Sequence, residues 1–243
     1  MNIKMANSVI KTRAGSVSTS SGTNIATLLK QLKKTKMFDQ LCLLVLDSSG
    51  SMSHLLVDGS TKTEATKAAA IDLIRTLKKS TKSSGFHVGI ICFDTIPQIK
   101  LYPQPIDSIN EADIDLGEEF GEGSYTRIDL ALSEAEKMAA AFLKTAEPGN
   151  QLKRDARILL MSDGYCNEPE NTKKVVINIK SNHGDKIRMC CCLLSNEGEE
   201  ALVEAEALMK DIASNDKSGR LCFTRASTGR DLRSFFEGSS TDE

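Results

Sequence analysis

The sequence contains no apolar run long enough to cross a bilayer. Its longest apolar runs, residues 41–46 and 189–194, are far shorter than the roughly 20 residues of a transmembrane helix. The first residues also lack the apolar stretch of a secretory leader. We therefore expect a cytoplasmic protein with no membrane partner.

Acidic residues are absent before Asp39, although seven lysines and arginines lie there. Because the net charge of the chain is -2, the remainder is acidic. This basic arm has no aromatic residue before Phe38 on which nucleic-acid bases could stack, so we expect a solvated or partner-docking arm rather than a nucleic-acid site. Apolar residues at helical spacing predict a short helix over residues 25–37, within an arm of residues 1–37.

The seven cysteines include no C-x-x-C pair and no cluster with histidine. Three of them are consecutive, at residues 190–192, where a strand points successive side chains to opposite faces. This pattern fits neither a zinc site nor a disulfide framework. We expect free thiols in a reducing compartment, with the consecutive three acting as small apolar residues of a strand.

Apolar segments alternate with amphipathic ones along residues 38–237. Strands that are apolar throughout are typical of a parallel sheet covered on both faces. We therefore predict an α/β fold, doubly wound, with a mostly parallel central sheet and helices on both faces. Residues 94–97 are too few for a crossover helix, which predicts one antiparallel edge strand, and residues 238–243 are expected to form a C-terminal tail. The predicted strands are 41–46, 87–93, 98–101, 157–161, 187–194 and 220–224, and the predicted helices are 64–79, 128–145, 170–181, 199–214 and 231–236.

Two of the predicted strands run into an aspartate. Asp47 ends the first, in LLVLDSSGSM, and Asp163 follows another, in RILLMSDG. A third loop, GEGSYTRIDLAL, carries Thr126 just before a predicted helix. Open α/β sheets bind ligands at the carboxyl ends of their strands. Carboxylate and hydroxyl oxygens, without thiol or imidazole, are the ligands that suit Mg²⁺.

The D-x-S-x-S segment, the threonine before a helix and the strand ending in S-D-G resemble the von Willebrand factor type A family with a complete metal-ion-dependent adhesion site. The resemblance runs from about residue 40 to 236. It implies bound Mg²⁺, replaceable by Mn²⁺ or Ca²⁺ in vitro, with an Asp or Glu of a partner protein completing the octahedron. The residues that match the metal motif are Asp47, Ser49, Ser51, Thr126 and Asp163.

The same resemblance implies a class of partner. Stand-alone bacterial domains of this family accompany AAA+ ATPases, chelatase-like assemblies, or stress, tellurium-resistance and conflict systems. We therefore expect an intracellular Mg²⁺-dependent protein–protein interaction module, with an AAA+ ATPase among the candidate partners. The resemblance does not choose among these systems.

The segment SHLLVDGSTKT, between Met52 and Glu64, is longer than the family often has at this position. It brings apolar residues close to the expected metal, where they either form a partner-binding surface or fold into the domain; the sequence leaves both open. Ser124 is a rival to Thr126 as a metal residue and is better explained as a turn residue. The candidate partner-binding residues are His54, Leu55, Leu56, Val57, Ser124 and Tyr125.

A Mg²⁺-dependent phosphohydrolase is the alternative function, with Asp47 as nucleophile and Asp163 as metal ligand. A haloacid-dehalogenase-like enzyme would need an aspartate where Ser49 stands, and the sequence has no GxxxxGK[ST] phosphate loop. No general acid or base accompanies the two aspartates in the sequence. We therefore expect a binding module and not an enzyme.

Overall fold

The computed structural model describes residues 38–117, 122–145, 153–196 and 202–241. The described residues all belong to one compact unit, Thr35–Glu243. The predicted basic arm and its helix over residues 25–37 lie outside the described residues. The domain boundaries drawn at residues 37 and 237 stay a prediction.

The sheet of the described residues has six strands in the order β3-β2-β1-β4-β5-β6. β3 pairs antiparallel with β2 at one edge, and every other pair is parallel. The predicted mostly parallel sheet with one antiparallel edge strand is therefore confirmed. The strands are β1 (Asp39–Asp47), β2 (Phe86–Phe93), β3 (Pro97–Pro105), β4 (Arg154–Ser162), β5 (Ile187–Leu194) and β6 (Phe223–Ala226).

Helices cover both faces of this sheet, as predicted. The helices are α1 (Lys62–Lys79), α2 (Ile128–Lys144), α3 (Pro169–His183), α4 (Val203–Ile212) and α5 (Gly229–Thr241). Apolar residues of α1 and α5 pack on one face, and those of α2, α3 and α4 pack on the other. β1 is buried along its whole length, so its alternate side chains enter both cores. Cys42, Leu44 and Leu46 enter the first core, and Leu41, Leu43 and Val45 enter the second.

β1 and β4 begin earlier than the apolar runs that predicted them. Their first residues are polar, but they are paired across the two strands. Arg154 Nε donates a hydrogen bond of 2.6 Å to Asp39 Oδ2, and Gln40 Nε2 donates one of 2.9 Å to Asp155 Oδ1. Pairing removes the cost of burying these groups, so the strands extend beyond their apolar centres.

All seven cysteines lie in the described residues, and none of them forms a disulfide. The three consecutive cysteines are buried in β5 and alternate between the two cores, as predicted for small apolar residues of a strand. Burial raises the pKa of Cys42 to about 12, and burial is also the main cause that raises the pKa of Cys191 and Cys192. These thiols are therefore packing groups and not nucleophiles. Among the described helices, none combines the length and the apolar character needed to span a membrane.

Candidate functional site

Two buried carboxylates lie side by side at the carboxyl ends of the central strands. Asp47 ends β1, and Asp163 follows β4, which is the parallel neighbour of β1. Both side chains are fully buried. The Ser162 hydroxyl, at the tip of β4, donates a hydrogen bond of 2.5 Å to Asp47 Oδ2 and so joins the two strand ends.

The serines of the first loop turn back over Asp47. The Ser49 backbone N–H donates a hydrogen bond of 2.8 Å to Asp47 Oδ1, and the chain then enters a 3₁₀ turn, Gly50–Ser53. This turn brings the Ser49 and Ser51 hydroxyl oxygens to within 3.2 Å of each other. Two hydroxyls two residues apart therefore face one point beside the Asp47 carboxylate.

Backbone hydrogen bonds hold the Thr126 loop against the first loop. Gly123 forms a parallel bridge with Ser49, and its carbonyl accepts a hydrogen bond of 2.6 Å from the Gly50 N–H. A Cβ atom at Gly123 would overlap the side chain of Asp94. Glycine at this position therefore lets the Thr126 loop lie close to Asp94, in the turn after β2.

Thr126 is also fixed from the other side, by the loop after β4. Its N–H donates a hydrogen bond of 2.7 Å to Asn167 Oδ1, and its carbonyl accepts one of 3.1 Å from the Asn167 N–H. Thr126 is buried, whereas its rival Ser124 is exposed. The three loops that carry the predicted metal residues are therefore hydrogen-bonded to one another in the structure.

The predicted partner-binding residues divide into two groups. His54, Leu55, Val57, Ser124 and Tyr125 are exposed at this edge of the sheet. Leu56 is 3% exposed and belongs to the core beneath α1, so it is not available to a partner. Its two apolar neighbours point away from the domain. The loop therefore both folds into the domain and offers exposed apolar surface, through different residues.

Two exposed apolar residues at the same edge were not predicted. Ile96 lies in the turn between β2 and β3, and Tyr165 lies two residues after Asp163. Together with Leu55, Val57 and Tyr125, each has about half or more of its surface exposed. The sequence does not show whether a side chain in a turn is exposed, so neither Ile96 nor Tyr165 was predicted.

The environment of Asp47 disfavours its charged form. Burial raises its pKa to about 7, and the nearby charge of Asp163 acts in the same direction. Hydrogen bonds from Ser162 and Ser49 oppose this rise. A divalent cation beside Asp47 would favour its charged form, because opposite charge lowers a carboxyl pKa.

Lys62 is the largest residue of the site that the sequence did not indicate. It is the first residue of α1, is 1% exposed, and places its Nζ 3.3 Å from Asp163 Oδ2. A lysine in the first turn of a helix is ordinarily exposed to solvent, so nothing in the sequence indicated that Lys62 would be buried at the site. Buried lysines are rare unless they are paired.

The donors of this edge fit a small, hard cation. Asp163 Oδ1 is buried and has no hydrogen-bond partner within the described part of the chain. The Asp47 carboxylate and the converging hydroxyls of Ser49 and Ser51 lie at the same edge, and the Thr126 loop is hydrogen-bonded beside them. No three His, Cys, Asp or Glu side chains converge on a metal-sized space among the described residues, so hydroxyls and water would complete the coordination of an ion. Such a set suits Mg²⁺ better than it suits a softer metal.

An open, mostly parallel sheet with aspartate, serine and threonine loops at its carboxyl edge defines an α/β domain with a candidate metal-binding face. Residues 43–237 match the family model of the von Willebrand factor type A domain, and the chain belongs to this family. Domains of this family bind divalent metal ions and mediate protein–protein interactions. No curated protein matches the chain.

Solved structures with this fold include a pilus adhesin and a minor pilin. The SpaC pilus adhesin of Lactobacillus rhamnosus GG, in an open conformation, is 11% identical with a TM-score of 0.64 over 83% of this chain and 29% of its own. The PilB minor pilin of Streptococcus sanguinis is 12% identical with a TM-score of 0.59 over 84% of this chain and 61% of its own.

A third similar structure holds a metal. Proximal thread matrix protein 1 of the mussel byssus, with a zinc-occupied adhesion motif, is 14% identical with a TM-score of 0.57 over 83% of this chain and 47% of its own. The chain thus spans less than two thirds of each of these three proteins. At these identities the likeness establishes the fold alone.

Proposed function

We propose that this chain is a Mg²⁺-dependent protein-interaction module that captures an acidic side chain of a partner protein. Ser49, Ser51 and Thr126 would hold the ion through their hydroxyls, and Asp47 and Asp163 would bind it directly or through water. The bound ion supplies an electrophilic position to which a partner's carboxylate binds. The chain would thereby have a complete metal-ion-dependent adhesion site.

The convergence of the Ser49 and Ser51 hydroxyls beside two buried carboxylates carries this proposal. The two oxygens lie 3.2 Å apart, and Asp163 Oδ1 is left buried without a hydrogen-bond partner among the described residues. Buried carboxylate oxygens are normally satisfied, because leaving them unpaired costs the desolvation of a charged group. A cation at this point would satisfy both features at once.

The apolar residues around the site support a protein as the ligand. Leu55, Val57, Tyr125 and Tyr165, with Ile96, are exposed at the edge that carries the two carboxylates. An ion gives direction to a contact, and apolar and aromatic surface gives it burial. The partner that fits is a protein surface with one Asp or Glu flanked by apolar side chains.

The loop that carries Leu55 and Val57 is held in place and presents a defined surface. Asn196 Nδ2 donates a hydrogen bond of 2.7 Å to the Leu55 carbonyl, and the Val57 N–H donates one of 3.1 Å to the Ser227 carbonyl. Asp58 Oδ2 accepts a hydrogen bond of 2.9 Å from the Gly229 N–H at the start of α5. A loop ordered before binding loses less entropy when the partner docks.

The remaining parts of the proposal are the compartment and the type of partner. Seven cysteines without a disulfide among them support a reducing, cytoplasmic location. An AAA+ ATPase, or a component of a stress, tellurium-resistance or conflict system, is proposed as the partner on the family resemblance alone. Mn²⁺ and Ca²⁺ are expected to substitute for Mg²⁺ in vitro.

The phosphohydrolase alternative gains no support from the geometry. Both oxygens of Asp47 accept hydrogen bonds, from Ser162 and from the Ser49 N–H, and the side chain is fully buried. A nucleophile needs a free oxygen that can reach a substrate. Asp47 is thus better placed to orient ligands of an ion than to attack a phosphate ester.

Thermal unfolding in Mg²⁺ and in EDTA tests the proposal. Because a ligand that binds only the folded state raises its stability, Mg²⁺ should raise the Tm of the wild type and leave that of Asp47→Ala unchanged. Asp185→Ala, which removes an exposed carboxylate at the opposite edge of the sheet, is the matched control and should respond like the wild type. An equal Mg²⁺ response in Asp47→Ala would refute the assignment.

A further inference from the structure

Lys62 places a positive charge inside the proposed metal site. Its Nζ lies 3.3 Å from Asp163 Oδ2, and both side chains are buried, at 1% and 0% exposure. No other side chain within the described ranges forms an ion pair with either group. The lysine therefore neutralises one of the two carboxylates that the metal would use.

Hydrogen bonds at the start of helix α1 fix the backbone of Lys62. The Lys62 N–H donates a hydrogen bond of 2.9 Å to the His54 carbonyl, and the Lys62 carbonyl accepts one of 2.6 Å from the Thr66 hydroxyl. Thr61 caps the helix immediately before it, in a capping box with Glu64. The backbone at Lys62 is thus held between the first site loop and the body of α1.

The charges of the site follow from these contacts. Before any ion binds, the ionised carboxylates of Asp47 and Asp163 and the Lys62 ammonium sum to one net negative charge. A divalent cation turns this sum into one net positive charge, whereas the same site without Lys62 would become neutral. A buried site with one excess charge is costly unless an opposite charge enters it.

We infer that Lys62 is a specificity-determining residue that weakens the binding of a metal ion by itself and makes the loaded site require an anionic ligand. This inference rests on the proposed function, because it takes the metal to bind beside Asp163. The lysine competes with the ion for the carboxylate and repels it. A partner carboxylate that then binds neutralises the excess positive charge that Lys62 gives the metal-loaded site, so the ion and the partner bind cooperatively.

A purely structural ion pair is the competing explanation, and it predicts a different result. If Lys62 only stabilises the fold, its removal would lower the stability of the domain without changing metal affinity. If it competes with the ion, its removal would strengthen metal binding. Like charges at close range repel strongly enough for the gain to reach at least about tenfold.

The experiment is a titration of the whole chain with Mn²⁺, followed by the electron paramagnetic resonance signal of the free ion. It compares the wild type with Lys62→Met, which removes the charge, and with Lys62→Arg, which keeps it. Lys67→Met is the matched control, because Lys67 lies on the same helix and donates to the Gly117 carbonyl outside the site. The buffer is kept well above pH 7, and at the same pH for every variant, because burial raises the pKa of Asp47 to about 7. Circular dichroism establishes that each variant is folded, and Lys62→Gln replaces Lys62→Met if the latter does not fold.

We expect Lys62→Met to bind Mn²⁺ at least about tenfold more tightly than the wild type. Lys62→Arg and Lys67→Met should bind like the wild type. Equal affinities in the wild type and Lys62→Met would overturn the inference and leave the proposed function standing. Binding by none of the proteins would overturn both.

Discussion

The Ser162 hydroxyl donates a hydrogen bond of 2.5 Å to Asp47 Oδ2 and accepts one of 3.0 Å from the Gly164 N–H. One side chain therefore links the tip of β1 to the turn after β4. It also opposes the effect of burial, because hydrogen bonds to the charged form lower a carboxyl pKa. Ser162, at the end of β4, thus stabilises the charged carboxylate at the end of β1.

Replacing Ser162 by alanine should destabilise the domain and make metal binding more pH-dependent. The loss of a bonded buried hydroxyl beside a carboxylate should cost about 1–3 kcal/mol of unfolding free energy. The pKa of Asp47 should rise further, so half-maximal Mn²⁺ binding should move to higher pH. Urea unfolding and a Mn²⁺ titration across pH measure the two effects.

Ser133→Ala is the matched control for this substitution. Ser133 also donates a hydrogen bond to a nearby oxygen, the Asp129 carbonyl at 2.8 Å, but it lies on α2 away from the site. Its removal should leave the pH dependence of metal binding unchanged. An unaltered pH dependence in Ser162→Ala would show that the serine does not tune Asp47.

The raised pKa of Asp47 makes the metal-free domain more stable in mild acid. Between its ordinary value of 3.8 and its folded value of about 7, the folded state holds a proton that the unfolded state has lost. Stability should therefore fall as pH rises through this window, by up to about 1.4 kcal/mol per pH unit. Below pH 3.8 this contribution is fully present, and above about pH 7 it is lost.

Asp47→Asn isolates this contribution, because asparagine does not titrate. Urea unfolding in EDTA, from about pH 4 to about pH 8, should give a free energy that falls more steeply with pH in the wild type than in the variant. The difference between the two curves removes the opposite effect of carboxylates such as Asp58, whose pKa is lowered by hydrogen bonds from Ser60 and Gly229. Parallel curves would contradict the raised pKa.

Gly123→Ala should weaken metal binding by moving the Thr126 loop. The added methyl group would overlap the side chain of Asp94, so the loop must shift, which would disturb its bridge with Ser49. We expect Mn²⁺ affinity to fall at least about tenfold, since misplacing one ligand by about 1 Å is enough for a large loss. A Mn²⁺ titration measures this change.

Gly238→Ala provides the comparison for the glycine substitution. Gly238 lies in α5 with open space where a Cβ atom would be added, and alanine in a helix is favoured over glycine by about 0.5–1 kcal/mol. This variant should be slightly more stable and should bind Mn²⁺ like the wild type. If Gly123→Ala also binds normally, the close approach of the Thr126 loop to Asp94 is not needed for the site.

The exposed apolar loop should matter for partner binding and not for the metal. In the double variant Leu55→Ser and Val57→Ser, capture of a Mg²⁺-dependent partner from native lysate should fall at least about tenfold, because interface anchors contribute about 1–3 kcal/mol each. Mn²⁺ affinity should be unchanged. Quantitative mass spectrometry of the captured proteins measures the first effect.

Ile177→Ser is the control for that surface. Ile177 is also highly exposed, but it lies more than two turns into α3, away from the carboxyl edge of the sheet. It should capture the same partner as the wild type. A double variant that loses Mn²⁺ affinity would instead mean that the loop supports the metal site itself.

The sequence predicted which strand ends form the site, because apolar runs mark where strands end. Asp47 and Asp163 interrupt such runs, so their place at the sheet edge followed from the pattern. The structure also separates Thr126, which is buried, from Ser124, which is exposed. β6 is displaced from its prediction because Arg220 belongs to a turn, where its N–H bonds to Asp216.

Contacts between residues that lie far apart in the chain could not be predicted from the sequence. Lys62 and Asp163 are 101 positions apart, and Thr126 and Asn167 are 41 apart. Neither pair has a local spacing that would reveal it. The burial of Leu56 between exposed Leu55 and Val57 depends on where α1 and α5 lie, which the loop's own sequence does not contain.

Anomalous diffraction from crystals grown with Mn²⁺ tests the central claim most directly. We expect one strong anomalous peak in contact with the Ser49 and Ser51 hydroxyls, adjacent to Asp47 and Asp163. The same crystals of Asp47→Ala should lack that peak. A wild-type crystal with no peak at these hydroxyls, or with Mn²⁺ bound only elsewhere on the domain, would contradict the proposed metal site and the interaction mechanism built on it.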